Sequence, residues 1–349
     1  MNTPDYLTYI AFALTCGVLL TAPFIPAFRE WLYPTDAGVL PVSANYASDI
    51  DHFARRLHAD ASARLGAGPS TGYEEFDFVA DLPQSPDGMD WREAEKRLIS
   101  RAGIDSPGPI HSTQPVYVQG SLRGGAQSSF TALYATGDIE LGPQSEISDW
   151  AHADGVVRLG GNSTGLRRIS AGTAIELGNE AWFERLEAPL LCFGSPAESA
   201  PAAPSFEGTP AGYADLPGAL RQTPDLYLIR GDCALPPGKA YEGSLVVTGF
   251  LTIGAGTRVD GDIKAREGAS IGPGATVQGA LTCEKRIYVF SQARIWGPVI
   301  SESDVLIGAG AVIGLPEAQT TVSANNIIVE EGVNVHGALW AHEIGMVKP

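Results

Sequence analysis

The feature that most restricts what this chain can fold into is a repeat of eighteen residues. The segment from Ile253 to Ile263 returns as Ile271 to Leu281 and again as Val289 to Val299, and a fourth unit opens with Ile307 and Gly308. Within each unit a second apolar residue lies six positions on, at Val259, Val277, Ile295 and Ile313, and glycine follows two later at Gly261, Gly279 and Gly297. A last unit, Val329 to Leu339 with Gly337, arrives after four extra residues.

Side chains alternate across a strand with a period of two, so an even repeat keeps one parity facing inward through every coil. From Leu245 to Ile313 the odd positions are almost all apolar or small, while the even ones carry Arg258, Asp260, Asp262, Lys264, Arg266, Glu284, Arg286 and Arg294. Only Glu267 and Lys285 break the inward row, where a corner would bulge. The expected fold is all-β: a β-helix, or β-solenoid, with about eighteen residues per coil over 227–349. Its core would be a column of Ile253, Val259, Ile263, Ile271, Val277, Leu281, Val289, Ile295, Ile307 and Ile313.

The same spacing recurs earlier at Leu141, Leu159 and Leu177, each followed by glycine, and predicts a first solenoid block over 116–194. Between the blocks, 195–226 is rich in Pro, Ala, Gly and Ser and reads as a linker or long loop. Each terminal coil would expose strand edges that must be capped or paired.

At the N-terminus, Tyr6 to Phe28 is 23 residues without a charged side chain, enough as a helix to cross a hydrocarbon core of ~30 Å. Residues 1–28 therefore read as one transmembrane anchor, with Leu7, Ile10, Phe12, Leu14, Val18, Leu19 and Leu20 facing lipid. Asp5 at its start and Pro23 and Pro26 at its end differ from a cleaved secretory signal. The basic residues follow it, at Arg29, Arg55, Arg56 and Arg64, which places the remainder on the cytoplasmic side of a single-pass anchor. Residues 29–115 read as a spacer with two short helices. One has Ile50, Phe53, Leu57 and Ala61 on a face, and the other has Trp91, Ala94 and Leu98.

A net charge of -17 without a basic run argues against nucleic-acid binding. Cys16, Cys192, Cys233 and Cys283 lack metal or redox spacing, and no glycine-rich segment leads into Lys-Ser or Lys-Thr, so no metal, nucleotide or other cofactor is implied. Asp149, His152 and Asp154 form one compact polar cluster able in principle to orient a base or bind a metal, although a solenoid-surface turn explains it as well. Asp260 and Asp262 flank Gly261 as two solvated charges or as calcium-type ligands. His336 and His342 fall in the last coil, on different faces. Tyr288, Phe290 and Trp296 occupy outward parity on one coil and form a possible interaction patch.

The run Arg258-Val-Asp-Gly-Asp-Ile-Lys-Ala, followed by Ala269-Ser-Ile-Gly-Pro-Gly-Ala-Thr-Val-Gln-Gly-Ala-Leu, resembles the rung pattern of the bactofilins over roughly 243–341. That resemblance implies a β-helix, nucleotide-independent end-to-end polymerisation, and a scaffolding role in cell-shape, cell-wall or envelope-polymer assembly. The longer N-terminal region, the first block and the anchor depart from the family's short form, and the first block stands where it would cap an end that otherwise pairs. The expectation is a non-enzymatic, membrane-anchored scaffold. It would act as a homo-oligomer or in a heteromeric membrane complex with envelope or polysaccharide-synthesis proteins. A hexapeptide-repeat acyltransferase, or an extracytoplasmic sugar-binding or lyase-like solenoid, stands as the alternative. The acyltransferase would need a histidine base over an acyl-donor groove, and coils 243–323 contain no histidine.

Overall fold

The computed structural model describes residues 6–32, 50–66, 75–82, 88–165, 167–194 and 209–349, in two units, Met1–Leu40 and Pro41–Pro349. In the first unit, helix α1 (Tyr6–Thr21) passes through a 3-10 turn (Ala22–Phe24) into α2 (Ile25–Leu32). The turn falls at Pro23, next to Pro26, where proline removes a donor and crowds the preceding carbonyl. Tyr9–Arg29 is long and apolar enough to cross a membrane, with a mean hydropathy of 1.9 and none of it buried within the protein. Its polar hydroxyls are satisfied internally: Thr15 donates to the Ala11 carbonyl (2.8 Å) and Thr21 to that of Gly17 (2.7 Å).

The second unit is a β-solenoid of about 14 turns with about 18 residues per turn. Three short strands make most coils, and through the regular part of the second block each strand pairs in parallel with the one eighteen residues on. Ile253, Ile271, Val289, Ile307 and Val329 stack in one column. Val259, Val277, Ile295, Ile313 and Val335 stack in the next. The ten core residues expected from the repeat are at most 2% exposed. Each contributes about 1.5–3 kcal/mol of burial, which a single coil could not realise without neighbours. The two charges that break parity, Lys285 and Glu267, pair with each other across adjacent coils at an exposed corner. On the outward rows, Arg158 and Glu176 (2.9 Å) and Arg266 and Glu284 (3.2 Å) bridge in the same way.

One corner of most coils takes a left-handed residue. In the second block it is Gly256, Gly274, Gln292, Gly310 and Gly332; in the first it is Gln127, Gln144, Asn162 and Glu180, with φ between 57° and 75° throughout. Glycine adopts this conformation freely and other residues at a cost. The four extra residues before the last coil form a loop at Leu315–Ala318, closed by mutual backbone bonds of 3.1 Å.

Several boundaries differ from the sequence reading. Helix α3 (His52–Gly66) forms, but its buried face is Ile50, Ala54, Leu57 and Ala61, while Phe53 is 49% exposed. The expected second helix is absent: Trp91 ends the strand Met89–Trp91 and Leu98 lies in the strand Arg97–Ser100, with Ala94 in the turn between them. The apolar spacing there is set by two inward-facing strands, not by a helical face. Parallel pairing already begins at Phe76–Phe78, so the solenoid takes in residues assigned to the spacer. Part of the expected linker also belongs to it: Thr209–Pro210 and Ala219–Thr223 are strands, while 195–208 lie outside the described residues.

Candidate functional site

The surfaces that decide what such a rod can do are its ends, because an open coil presents unpaired backbone to any other strand. The last coil of the first block is the strand Trp182–Phe193, and the last coil of the second block is Asn334–Val347. They pair antiparallel around all three faces, with Phe183 opposite Gly345, Leu186 opposite Leu339 and Leu191 opposite Val335. Backbone bonds close both extremes of the contact: Glu180 N–H to Val347 O, Val347 N–H to Ala181 O (both 2.9 Å) and Gly332 N–H to Phe193 O (2.8 Å). The last coils of the two blocks thus meet with opposite strand directions, Leu186 facing Leu339. Phe183 and Phe193, with ring centroids 5.8 Å apart, fill the shared core. Gly345 is glycine because the Phe183 ring occupies the place of its Cβ.

Both outer ends carry plugs. At the end of the first block the 3-10 turn Val79–Asp81 turns Val79 into the core beside Trp91, 5% and 2% exposed. At the end of the second block the 3-10 turn Tyr213–Asp215 lays Tyr213, 1% exposed, over the column. Its ring stacks on Tyr241 (4.9 Å, 21°), and its hydroxyl donates to the Gly243 carbonyl (3.3 Å). Burial holds that phenol well above the ordinary tyrosine range, so it stays a neutral donor. Ala219–Thr223 folds back antiparallel on Leu226–Ile229 and covers that edge.

The junction also carries exposed apolar and aromatic groups. Arg185 lies over the Trp340 ring at 3.5 Å, Trp340 packs on His342 (4.3 Å), and His342 meets the Ser323 hydroxyl at 3.2 Å. Trp182 and Ile344 are 43% and 45% exposed. His336 bonds the Pro189 carbonyl (3.1 Å) across the junction, while His342 stays within the second block. Sequence reading missed this surface, since it arises only when two distant strands pair.

The residues of the expected aromatic patch fall along two strands of one coil and the turns after them. Tyr288 lies on the middle strand of its coil beside Arg286, Phe290 (46% exposed) opens the next turn, and Trp296 follows the strand Arg294–Ile295 on the next face. Asp260 is bonded to Arg258 (2.7 Å), while Asp262 accepts the Ala280 N–H one coil away (2.8 Å), so the two carboxylates serve different partners. Among the described residues no group of three His, Cys, Asp or Glu could hold a metal ion.

His152 does make a compact polar arrangement, though not with Asp149. Its Nδ1 meets the Ser170 hydroxyl (2.7 Å) and its Nε2 lies 3.4 Å from Asp154 Oδ1, which also accepts the Tyr134 hydroxyl (2.7 Å). Asp149 instead lies 3.9 Å from Arg167. The groups are those of a hydrolytic triad, but Ser170 is only 7% exposed on a face packed by α3, and a nucleophile must reach its substrate. No family model, curated protein or solved structure matches this chain.

Proposed function

We propose that this protein is a membrane-tethered scaffold of fixed length, which presents its solenoid faces and its seam to partners of the cell envelope and does not grow into filaments. The observation that carries this reading is the antiparallel seal between Trp182–Phe193 and Asn334–Val347. It occupies one pair of coil ends within a single chain, while the turns bearing Val79 and Tyr213 cover the others. What is left for recognition is the side of a rod. Its length is roughly 65 Å, for about 14 turns at a strand spacing of about 4.8 Å.

The apolar helix Tyr9–Arg29 supports a tether, and the basic residues after it support a cytoplasmic solenoid at a bacterial inner membrane. The bactofilin-like rung pattern supports a scaffold over an enzyme, and polysaccharide or envelope assembly as the process served. Cell fractionation with C-terminal reporter fusions tests this. The reading expects the full chain in the membrane fraction after alkaline carbonate washing, with activity from a cytoplasmic reporter only. A soluble, shortened product or activity from a periplasmic reporter would overturn it.

A further inference from the structure

Helix α3 lies lengthwise along one face of the first block. Its Phe53 end sits beside Arg168 (5.1 Å) and its Arg64 end beside Phe78 (5.1 Å), so it runs from the coil of Arg168 back to the outermost coil. Fifteen residues make about 22 Å of helix, matching the roughly 19–24 Å of the four or five coil spacings it covers. Beneath it Ala54, Leu57 and Ala61 pack on Ile99, Tyr117, Tyr134 and Trp150, a cluster separate from the solenoid core.

Through that contact runs a stack of rings: Tyr117 on Tyr134 (5.3 Å), His58 of α3 against both (5.8 and 5.1 Å), and Tyr134 on His152 (5.2 Å). The groups facing His152 are all accounted for. Asp51, ion-paired to Arg55, stands just before α3 and His58 on it; from the sheet come Tyr134, Asp154 and Ser170, with Arg168 in the coil of Ser170 and Glu187 one coil beyond. Asp154 is already engaged by the Tyr134 hydroxyl and is 47% exposed, so it is a weakened partner for an imidazolium.

We propose that α3 is a pH-gated clasp: protonation of His152 beneath it, beside His58, loosens its docking and moves the point at which the chain leaves the rod. With α3 docked, the chain joins the rod at the coil of Arg168, next to the seam. With α3 released, the chain joins the rod at the strand Phe76–Phe78 in the outermost coil, about five coil spacings or 24 Å away. Burial pulls His152 below the ordinary histidine value of 6.5, against the opposing pull of Asp154 and Asp51. Once α3 leaves, the ring regains water and its ordinary value. Docking is therefore at full strength above about pH 6.5 and is progressively lost below it.

Hydrogen exchange of the full chain in detergent micelles, read by mass spectrometry and corrected for intrinsic pH dependence, tests the clasp. Protection of peptides covering 52–66 should fall by up to about tenfold between about pH 7.5 and 5.5, while strands such as Ile139–Leu141 keep theirs. His152→Gln should hold α3 protected at both pH values, and His152→Phe serves if the glutamine variant fails to dock. His58→Gln should keep the pH response. Equal protection of the unmodified chain at both pH values would overturn the proposal, as would a response that survives in both His152 variants or disappears with His58.

Discussion

Leu186 stands directly opposite Leu339 in antiparallel register, each 1% exposed, although 153 positions separate them and every other strand contact near them is parallel. The pair marks the place where two solenoids running in opposite directions become one core. Parallel solenoids end in unpaired backbone, and here each block supplies the other's missing strand.

Disturbing that seam is expected to cost as much as a core defect. Leu339→Ala should destabilise the solenoid unit by about 2–5 kcal/mol. Gly345→Val, which sets a branched side chain against the Phe183 ring, should cost a further-ranging about 1–3 kcal/mol of overpacking. Thermal melts of both variants check this, and melting points equal to that of the parent would show that the seam is not formed.

Removing the plug at the outer end should both destabilise and expose. Tyr213→Ala is expected to cost about 3–5 kcal/mol, and to uncover the edge of Cys233–Leu235. Light scattering against concentration should then show self-association that the parent chain lacks.

The left-handed corner makes a prediction with opposite signs at two positions. Gly274 has open space where a Cβ would go, so Gly274→Ala tests the backbone alone and should destabilise by about 1–2 kcal/mol. Gln292 holds φ 57° at the equivalent corner. Gln292→Gly should be neutral or stabilising by up to about 1 kcal/mol, as relief of strain offsets the added freedom of the unfolded chain. Denaturant midpoints decide both.

Burial pushes the Cys283 thiol up to about 12 and that of Cys233 up to about 11. Thiolate is the reactive form, so both should resist iodoacetamide at about pH 8 in the folded protein and react once it is denatured. Rapid native labelling of Cys283, which is 6% exposed, would contradict the coil geometry.

Much of this architecture was legible from spacing alone. An eighteen-residue period with one apolar parity specifies which side chains stack, and Ile253, Ile271, Val289 and Ile307 do so in register. Spacing fails where the period breaks. Trp91, Ala94 and Leu98 imitate a helical face because a turn separates two inward-facing strands. The buried face of α3 was misjudged by one residue, since Ala54 fits against the Tyr117 and Tyr134 rings where Phe53 would be too large. The seam was hidden because antiparallel pairing between residues 182–193 and 334–347 leaves no repeat to find. Asp154 was legible as a partner of His152 two positions on, whereas Ser170 becomes one only through the coil stacking that sets it beside the ring.

The most direct test of the central claim is electron microscopy of the purified full chain in detergent across a wide concentration range. A sealed and capped solenoid predicts single rods of uniform length, roughly 65 Å at about 4.8 Å per coil, at every concentration. Filaments that lengthen with concentration, or two half-length rods hinged at the middle, would contradict it.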